Sequence, residues 1–173
     1  MRDMADAAGP DRSTGAAAPH WQRWLWVSLA VIVLDFVTKR AMLATFRPGE
    51  VLPLLPFFSL ILTFNPGAAF SFLAGADGWQ RWLFAATALI ASVVVVWLLR
   101  RGGNRLYCLA LALIMGGALG NLWDRIAIGE VVDFLLFHWG GWSFPAFNVA
   151  DSAISVGAGL LILDSFGARD KER

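Results

Sequence analysis

Apolar residues occur in four long blocks along the chain. The blocks cover about residues 24–44, 82–99, 106–123 and 144–163. The second and third blocks contain no charged residue, and the fourth contains only Asp151. Each block is close to the roughly 20 residues that a helix needs to cross a bilayer. In hydrocarbon a helix also satisfies its own backbone hydrogen bonds. The pattern therefore predicts an all-α integral membrane protein with four transmembrane helices.

Two connections between the blocks are too long for simple turns. Residues 45–81 contain four prolines, yet they are apolar over 51–62. Such a segment is neither a solvated loop nor a spanning helix. We expect it to lie on the membrane surface as short strands or a half-buried helix. The second connection, 124–143, is rich in glycine and aromatic residues. We expect it to form an interfacial loop that folds over a site.

The distribution of basic residues predicts the orientation. Basic residues precede the first block, join the second to the third, and follow the fourth (Arg2, Arg12, Arg23; Arg100, Arg101, Arg105; Arg169, Lys171, Arg173). With four spans these segments share one side, which the positive-inside rule assigns to the cytoplasm. We therefore expect a flexible tail at 1–20, a single membrane domain at 21–166 and a cytoplasmic tail at 167–173.

Composition narrows the class of protein further. Hydrophobic residues make up 58% of the chain and charged residues only 16%, against about 25% charged in soluble domains. A net charge of +1 gives no basic face for nucleic acid. The single cysteine excludes an internal disulfide, and two histidines without a Cys/His cluster argue against a zinc site. We expect no metal and no cofactor.

Two aspartates in apolar surroundings are the main candidates for chemistry. Asp133 follows the third block, and Asp151 lies about two turns inside the fourth. A carboxylate at a membrane helix centre costs roughly 2.5–3.5 kcal/mol on insertion scales, so two of them suggest a shared use. They can meet only if the outer ends of the third and fourth helices pack together. Two carboxyls that share a site are the working parts of an aspartic protease. The alternative is that each is a surface or helix-capping acid.

Other polar residues have both structural and functional interpretations. Asp35 and Lys39 form an i, i+4 pair on the first helix, equally compatible with a structural or a functional role. Asn148 precedes Asp151 by three positions and could hold a carboxylate or cap the helix. Asn65 begins a turn of small residues that by spacing indicates only a loop.

The end of the third block carries a polar face. Asn121, Asp124 and Arg125 have i, i+3 and i+4 spacing, and the preceding Gly116 and Gly120 stand four apart, which allows close helix packing. For Asp124 we favour an interfacial ion pair with Arg125, because a neighbouring cation keeps a carboxylate charged. Arg125 could instead orient a substrate carbonyl.

Taken together, these segments resemble the lipoprotein signal peptidase (signal peptidase II) family over about residues 24–163. The motifs that carry the resemblance occur in the family's order: Asp35-x-x-Thr38-Lys39, Asn65-Pro66-Gly67-Ala68-Ala69-Phe70, Gly117 to Arg125, Val131-Val132-Asp133-Phe134 and Phe147-Asn148-Val149-Ala150-Asp151.

The resemblance implies a membrane aspartic endopeptidase that cuts prolipoprotein signal peptides before a diacylglyceryl-modified cysteine. It implies Asp133 and Asp151 as the catalytic pair, and an extracytoplasmic β-cradle between the first two helices. It places the protein in the bacterial cell membrane, as an expected monomer whose partners are lipid-modified prolipoprotein signal peptides and membrane lipids. The supporting residues would be Asn65, Arg125, Asn148, Asn121, Asp35 and Lys39.

Three other classes compete with this interpretation. A small proton-coupled transporter would also place acids in a four-helix bundle, although here the acids collect near one end and no inverted repeat is visible. A structural scaffold would not need five polar motifs near one face. A serine or metal peptidase is disfavoured, because no Ser/His pairing and no His-x-x-x-His stands near the other motifs.

Overall fold

The computed structural model describes residues 21–67 and 78–169. The predicted N-terminal tail and residues 170–173 lie outside them. The described chain forms four helices and four strands. In chain order these are α1 (Gln22–Thr45), β1 (Val51–Leu55), β2 (Phe58–Asn65), α2 (Trp79–Arg101), α3 (Arg105–Ala127), β3 (Val131–Trp139), β4 (Trp142–Ser143) and α4 (Val149–Arg169).

Among the described residues, three helices are long and apolar enough to cross a membrane. These are α2, α3 and, over Val149–Gly167, α4. Helix α1 has 24 residues but carries four charged ones. Two of them, Asp35 and Lys39, are buried within the protein. The expectation of spanning helices thus holds for three of the four, and the span of α1 stays a prediction.

The fourth helix begins later than the apolar pattern predicts. It runs over Val149–Arg169 rather than 144–163, so residues 167–169 of the predicted tail are helical. Before it, Phe147 pairs with Leu135 as extended backbone. Asp151 consequently lies in the first turn of α4 and not two turns inside it. Its carboxyl is therefore closer to the end of the bundle than the apolar pattern indicates.

The strands form one antiparallel sheet in the order β1-β2-β3-β4. The predicted cradle between the first two helices contributes β1 and β2. The second connection, expected to be a loop, contributes β3 and β4. In the β2–β3 register Asp133 lies opposite Thr63, and Asn65 lies opposite Val131. The pairing therefore brings Asn65 and Asp133 to the same end of the sheet.

Helix α3 occupies the centre of the bundle and contacts the other three helices. Small residues make the close approach possible. A Cβ at Gly116 would lie 2.9 Å from the Ser28 carbonyl oxygen of α1, and one at Gly117 would overlap the Ala150 carbonyl oxygen of α4. The second contact brings the C-terminal part of α3 against the start of α4, where Asp151 lies.

Candidate active site

Asp133 lies on β3 and is only 2% exposed. Its carboxylate oxygens accept two side-chain amide hydrogen bonds. Asn65 Nδ2 donates to Oδ2 at 3.2 Å, and Asn148 Nδ2 donates to Oδ1 at 2.8 Å. The first donor comes from the neighbouring strand and the second from the residue before α4. The carboxyl of Asp133 is thus held between the sheet and the helix bundle.

Asp151 is bound by Asn121 and by the backbone of Asn148. Its Oδ1 accepts a hydrogen bond from Asn121 Nδ2 at 2.7 Å, and its Oδ2 accepts one from the Asn148 backbone N–H at 3.3 Å. In return, Asn148 Oδ1 accepts from the Asp151 backbone N–H at 2.8 Å, which caps the start of α4. Asn148 therefore has both of the roles that the sequence left open. It caps a helix, and it contacts both carboxyl groups.

The two carboxyls, which we call the carboxyl pair, lie in the wall of one cavity of about 1060 Å³. Burial, followed by the charge of Asp151, raises the pKa of Asp133 from 3.8 to about 7. A carboxyl in an apolar site beside a second one holds its proton more tightly for both reasons. The pair therefore contains one carboxyl that holds its proton to a much higher pH than an ordinary aspartate does, next to a second carboxyl.

A buried cluster of charged residues around Lys39 supports the part of the cavity wall that carries the carboxyl pair. Lys39 Nζ lies 2.7 Å from Asp35 Oδ2 and 2.8 Å from Asp124 Oδ2, and it donates to Asn121 Oδ1 at 3.0 Å. The expected Asp35–Lys39 pair is present. The predicted ion pair between Asp124 and Arg125 is wrong, because the Asp124 carboxylate points into the helix bundle and pairs with Lys39 instead.

The two acids of this cluster also bind backbone next to the carboxyl pair. Asp35 Oδ1 accepts a hydrogen bond from the Ala150 N–H at 2.9 Å, and Asp124 Oδ2 accepts one from the Val132 N–H at 3.2 Å. Val132 precedes Asp133, and Ala150 precedes Asp151. Each acid of the cluster thus fixes the backbone adjacent to one member of the carboxyl pair.

Arg125 lines the same cavity and connects α3 to the segment after β2. Its guanidinium donates to the Gly67 carbonyl oxygen at 3.1 Å and to the Asn121 carbonyl oxygen at 3.3 Å. Asn65 Oδ1 accepts from the Gly67 N–H at 3.0 Å, which forms the predicted turn. Residues 68–70 of that motif lie outside the described residues.

One polar pair was missed by sequence reasoning. Ser59 Oγ lies 2.8 Å from His138 Nε2, because β2 and β3 pair residues that are far apart in sequence. Only the strand register could have revealed it. Neither residue lines the cavity with the carboxyl pair. Over residues 21–67 and 78–169, no cluster of three His, Cys, Asp or Glu side chains is placed to hold a metal ion.

Apolar helices around a largely apolar cavity, with acids from β3 and α4 in its wall, are the arrangement expected of a membrane enzyme. The chain belongs to the signal peptidase II family, because the profile described as "Signal peptidase (SPase) II" matches residues 27–167. The protein is therefore a peptidase of this family, and the resemblance noted from its motifs is confirmed.

Similar proteins support the same assignment. The chain is 56% identical to the lipoprotein signal peptidase of Burkholderia ambifaria over 153 residues, covering 88% of this chain and 90% of that protein. It is 57% identical, with the same coverage, to that of Burkholderia mallei. A solved structure titled "Bacterial membrane enzyme structure by the in meso method at 2.3 A resolution" superimposes with a TM-score of 0.79 at 29% identity, covering 88% of this chain and 92% of that one.

Proposed function

We propose that the protein is a membrane aspartic endopeptidase that removes signal peptides from diacylglyceryl-modified prolipoproteins, cutting before the lipid-modified cysteine. The observation that carries the proposal is the carboxyl pair. Asp133 and Asp151 come from different elements, line one cavity and are both bound by Asn148. The lipoprotein signal peptidases that the chain resembles supply the substrate class.

In this mechanism Asp133 supplies the acid and Asp151 the base. The raised pKa of Asp133 keeps a large share of this carboxyl protonated at neutral pH. The Asp151 carboxylate removes a proton from a water held between the two groups, and that water attacks the scissile carbonyl carbon. Asp133 donates its proton towards the carbonyl oxygen as the tetrahedral intermediate forms. The proton taken up by Asp151 then passes to the leaving amine, the C–N bond breaks, and a hydroxyl of the intermediate returns a proton to Asp133 as the carboxylic acid product forms.

The surrounding amides have separate tasks in the proposal. Asn148 and Asn121 hold the carboxyl pair in position through the hydrogen bonds described above. Asn65 and Arg125 line the cavity beside the pair, so they are the groups that bind the substrate backbone. Lys39 with Asp35 supports Asn121 and the start of α4 without touching the substrate. No metal and no covalent acyl-enzyme take part.

We further propose that α1 is the fourth spanning helix. It exposes Leu29, Val33 and Val37, while it buries Asp35 and Lys39. A helix that buries two of its four charged residues and turns its apolar side chains outward suits a lipid environment. With four spans both termini are cytoplasmic, and the cavity lies near the extracytoplasmic face. The signal peptide then enters between the helices of a monomer, with its acyl chains in the lipid.

The test is cleavage of a purified diacylated prolipoprotein by Asp133→Asn and Asp151→Asn variants. Each change should lower the rate by about two to four orders of magnitude, the usual range for loss of one acid or base group. The matched control is Asp164→Asn, because Asp164 is another α4 aspartate outside the cavity and bonded to Asn104. It should cleave at the normal rate.

Near-normal turnover by either catalytic variant would end the assignment of the carboxyl pair. A proton-flux assay on the protein in liposomes tests the transporter alternative, because substrate-dependent proton flux without peptide cleavage would favour a transporter.

A prolipoprotein without its diacylglyceryl group should be a poor substrate, since each buried CH₂ adds about 0.8 kcal/mol of membrane affinity. Equal cleavage of both forms would remove the lipid requirement from the proposal.

A further inference from the structure

The end of the helix bundle away from the cavity carries a group of arginines that the peptidase chemistry does not use. The N-terminus of α1, the C-terminus of α2 and the N-terminus of α3 meet there, because Trp21, Leu99 and Cys108 belong to one hydrophobic cluster. Four exposed arginines lie at these helix ends, and we call them the basic end: Arg23, Arg100, Arg101 and Arg105.

Tryptophan rings orient three of these guanidinium groups. The Cζ of Arg101 lies 3.6 Å from the centroid of the Trp97 ring, and that of Arg100 lies 5.1 Å from the Trp21 ring. Arg23 lies similarly over Trp24 at 5.1 Å. A ring that covers one face of a guanidinium leaves its N–H edge available, and that planar edge matches the oxygens of a phosphate. The basic end therefore presents oriented donors.

No acid among the described residues forms an ion pair with these arginines. The two ion pairs over residues 21–67 and 78–169 both involve Lys39, near the cavity. The first turns of α1 and α3 contain no acidic residue. The acid of α4 at this end, Asp164, accepts a hydrogen bond from Asn104 Nδ2 at 2.5 Å. Neighbouring cations repel each other, so an anion from the surroundings would stabilise this end.

The surface next to the basic end is apolar and belongs to a membrane-spanning helix. On α2, Trp97 lies about one turn before Arg100 and Arg101, and Val93 lies about two turns before them. Both are exposed, Val93 to 70%, and Ile90, about one turn further back, is 65% exposed. A ligand that contacts both regions needs an anionic head and long apolar chains. A free anion would use only the arginines and leave the apolar face of α2 uncovered.

We propose that the basic end is a binding site for an anionic phospholipid of the surrounding membrane. The phosphodiester binds the guanidinium groups of Arg100 and Arg101, with Arg23 nearby, and the acyl chains lie along α2. Basic residues at the end of a spanning helix bind anionic lipid headgroups through the same electrostatics. The site is separate from the carboxyl pair, so it stands or falls independently of the peptidase mechanism.

The experiment titrates the full-length protein in detergent with dioleoyl phosphatidylglycerol and counts bound lipid by native mass spectrometry. The variant Arg100→Gln/Arg101→Gln should bind this lipid about thirty-fold more weakly, because each basic residue near an anionic surface contributes roughly five-fold. Zwitterionic dioleoyl phosphatidylcholine should bind weakly to both proteins. The matched control is Arg40→Gln/Arg47→Gln, which removes two exposed arginines from the other end of α1 and should bind like the wild type.

Four outcomes of this titration would overturn the proposal. They are equal binding of the two lipids, unchanged affinity in the Arg100→Gln/Arg101→Gln variant, an equal loss in the control variant, and displacement of the lipid by millimolar inorganic phosphate. The last result would indicate a site for a free anion. The variant Arg100→Lys/Arg101→Lys keeps both charges but loses the planar guanidinium edges, so its affinity should lie between those of the wild type and the glutamine variant. A loss as large as with glutamine would mean that the positive charges contribute nothing, and it would also overturn the proposal.

Discussion

The protein should become less stable as the pH rises, and Asp133 should be the cause. The pKa of this buried carboxyl is raised from 3.8 to about 7 in the folded state. Between these two values the folded protein keeps a proton that the unfolded chain has released, so the free energy of unfolding falls with increasing pH. Each pH unit in this window removes about 1.36 kcal/mol, so raising the pH from about 5 to about 8 should remove about 2–3 kcal/mol.

The Asp133→Asn variant tests this by removing the titrating group while keeping its shape. The new amide places an NH₂ group against Asn65 or Asn148, which costs about 1–3 kcal/mol at every pH. The assay measures unfolding in mixed micelles at about pH 5, 6.5 and 8 for the wild type, Asp133→Asn and the control Asp164→Asn. The wild type should lose about 2–3 kcal/mol more than Asp133→Asn across this range, while the control follows the wild type. Parallel curves for wild type and Asp133→Asn would refute the reasoning.

Three further changes should give clear results. The rate of signal-peptide cleavage should fall as the pH rises through about 7, because Asp133 then loses the proton that it donates; a rate that rises there would contradict its role as the acid. Gly117→Ala should lower the free energy of unfolding by about 1–3 kcal/mol, because its Cβ would overlap a carbonyl oxygen of α4. Gly159→Ala, where a Cβ meets nothing within 4 Å, is the matched control, and equal stability of the two variants would contradict the close packing. Lys39→Met should destabilise the protein by about 3–5 kcal/mol by leaving buried carboxylates without a cation, and adding Asp124→Asn should recover part of that loss in thermal unfolding. If the double variant recovers no stability, the buried ion cluster is not the source of the destabilisation by Lys39→Met.

Most of the polar residues of the site can be located from the sequence, because a membrane environment makes them conspicuous. A charged or amide side chain in an apolar block is costly unless it has a partner, so Asp35, Lys39, Asn121 and Asp151 stand out from their neighbours. The contacts among them could not be predicted, because they join three different helices. Periodicity gives the face of a helix on which a residue lies but not which helix that face meets.

The partner of Asp124 shows where local reasoning fails. Its neighbour in sequence, Arg125, looked like the natural counter-ion. Consecutive residues on a helix do not face each other, however. Asp124 points to Lys39 inside the bundle, while Arg125 reaches Gly67 across the cavity. The choice between the two partners depended on the packing of α1 against α3.

The second connection, residues 124–143, shows another limit of prediction from the sequence. Residues 131–139 look like a loop in a membrane protein, because glycines surround them and no clear alternation marks a strand. Hydrogen bonding to β2 turns them into β3. The start of α4 was misplaced for a related reason, since apolar content does not distinguish extended residues before Asn148 from helical ones after it. Asn148 was visible as a possible cap, but hydropathy gave it no greater weight than its neighbours.

The backbone pairing of Leu135 with Phe147 has a consequence for how this protein can change over evolution or by design. The Leu135 N–H donates to the Phe147 carbonyl oxygen at 2.8 Å, and the Phe147 N–H donates back to Leu135 at 3.0 Å. These bonds hold together the two ends of the segment 136–146, which contains the glycine turn at Gly140 and Gly141. Residues can therefore be added at that turn without altering the spacing of the two acids. The turn is the natural place to insert an epitope or a fluorescent tag into an active enzyme.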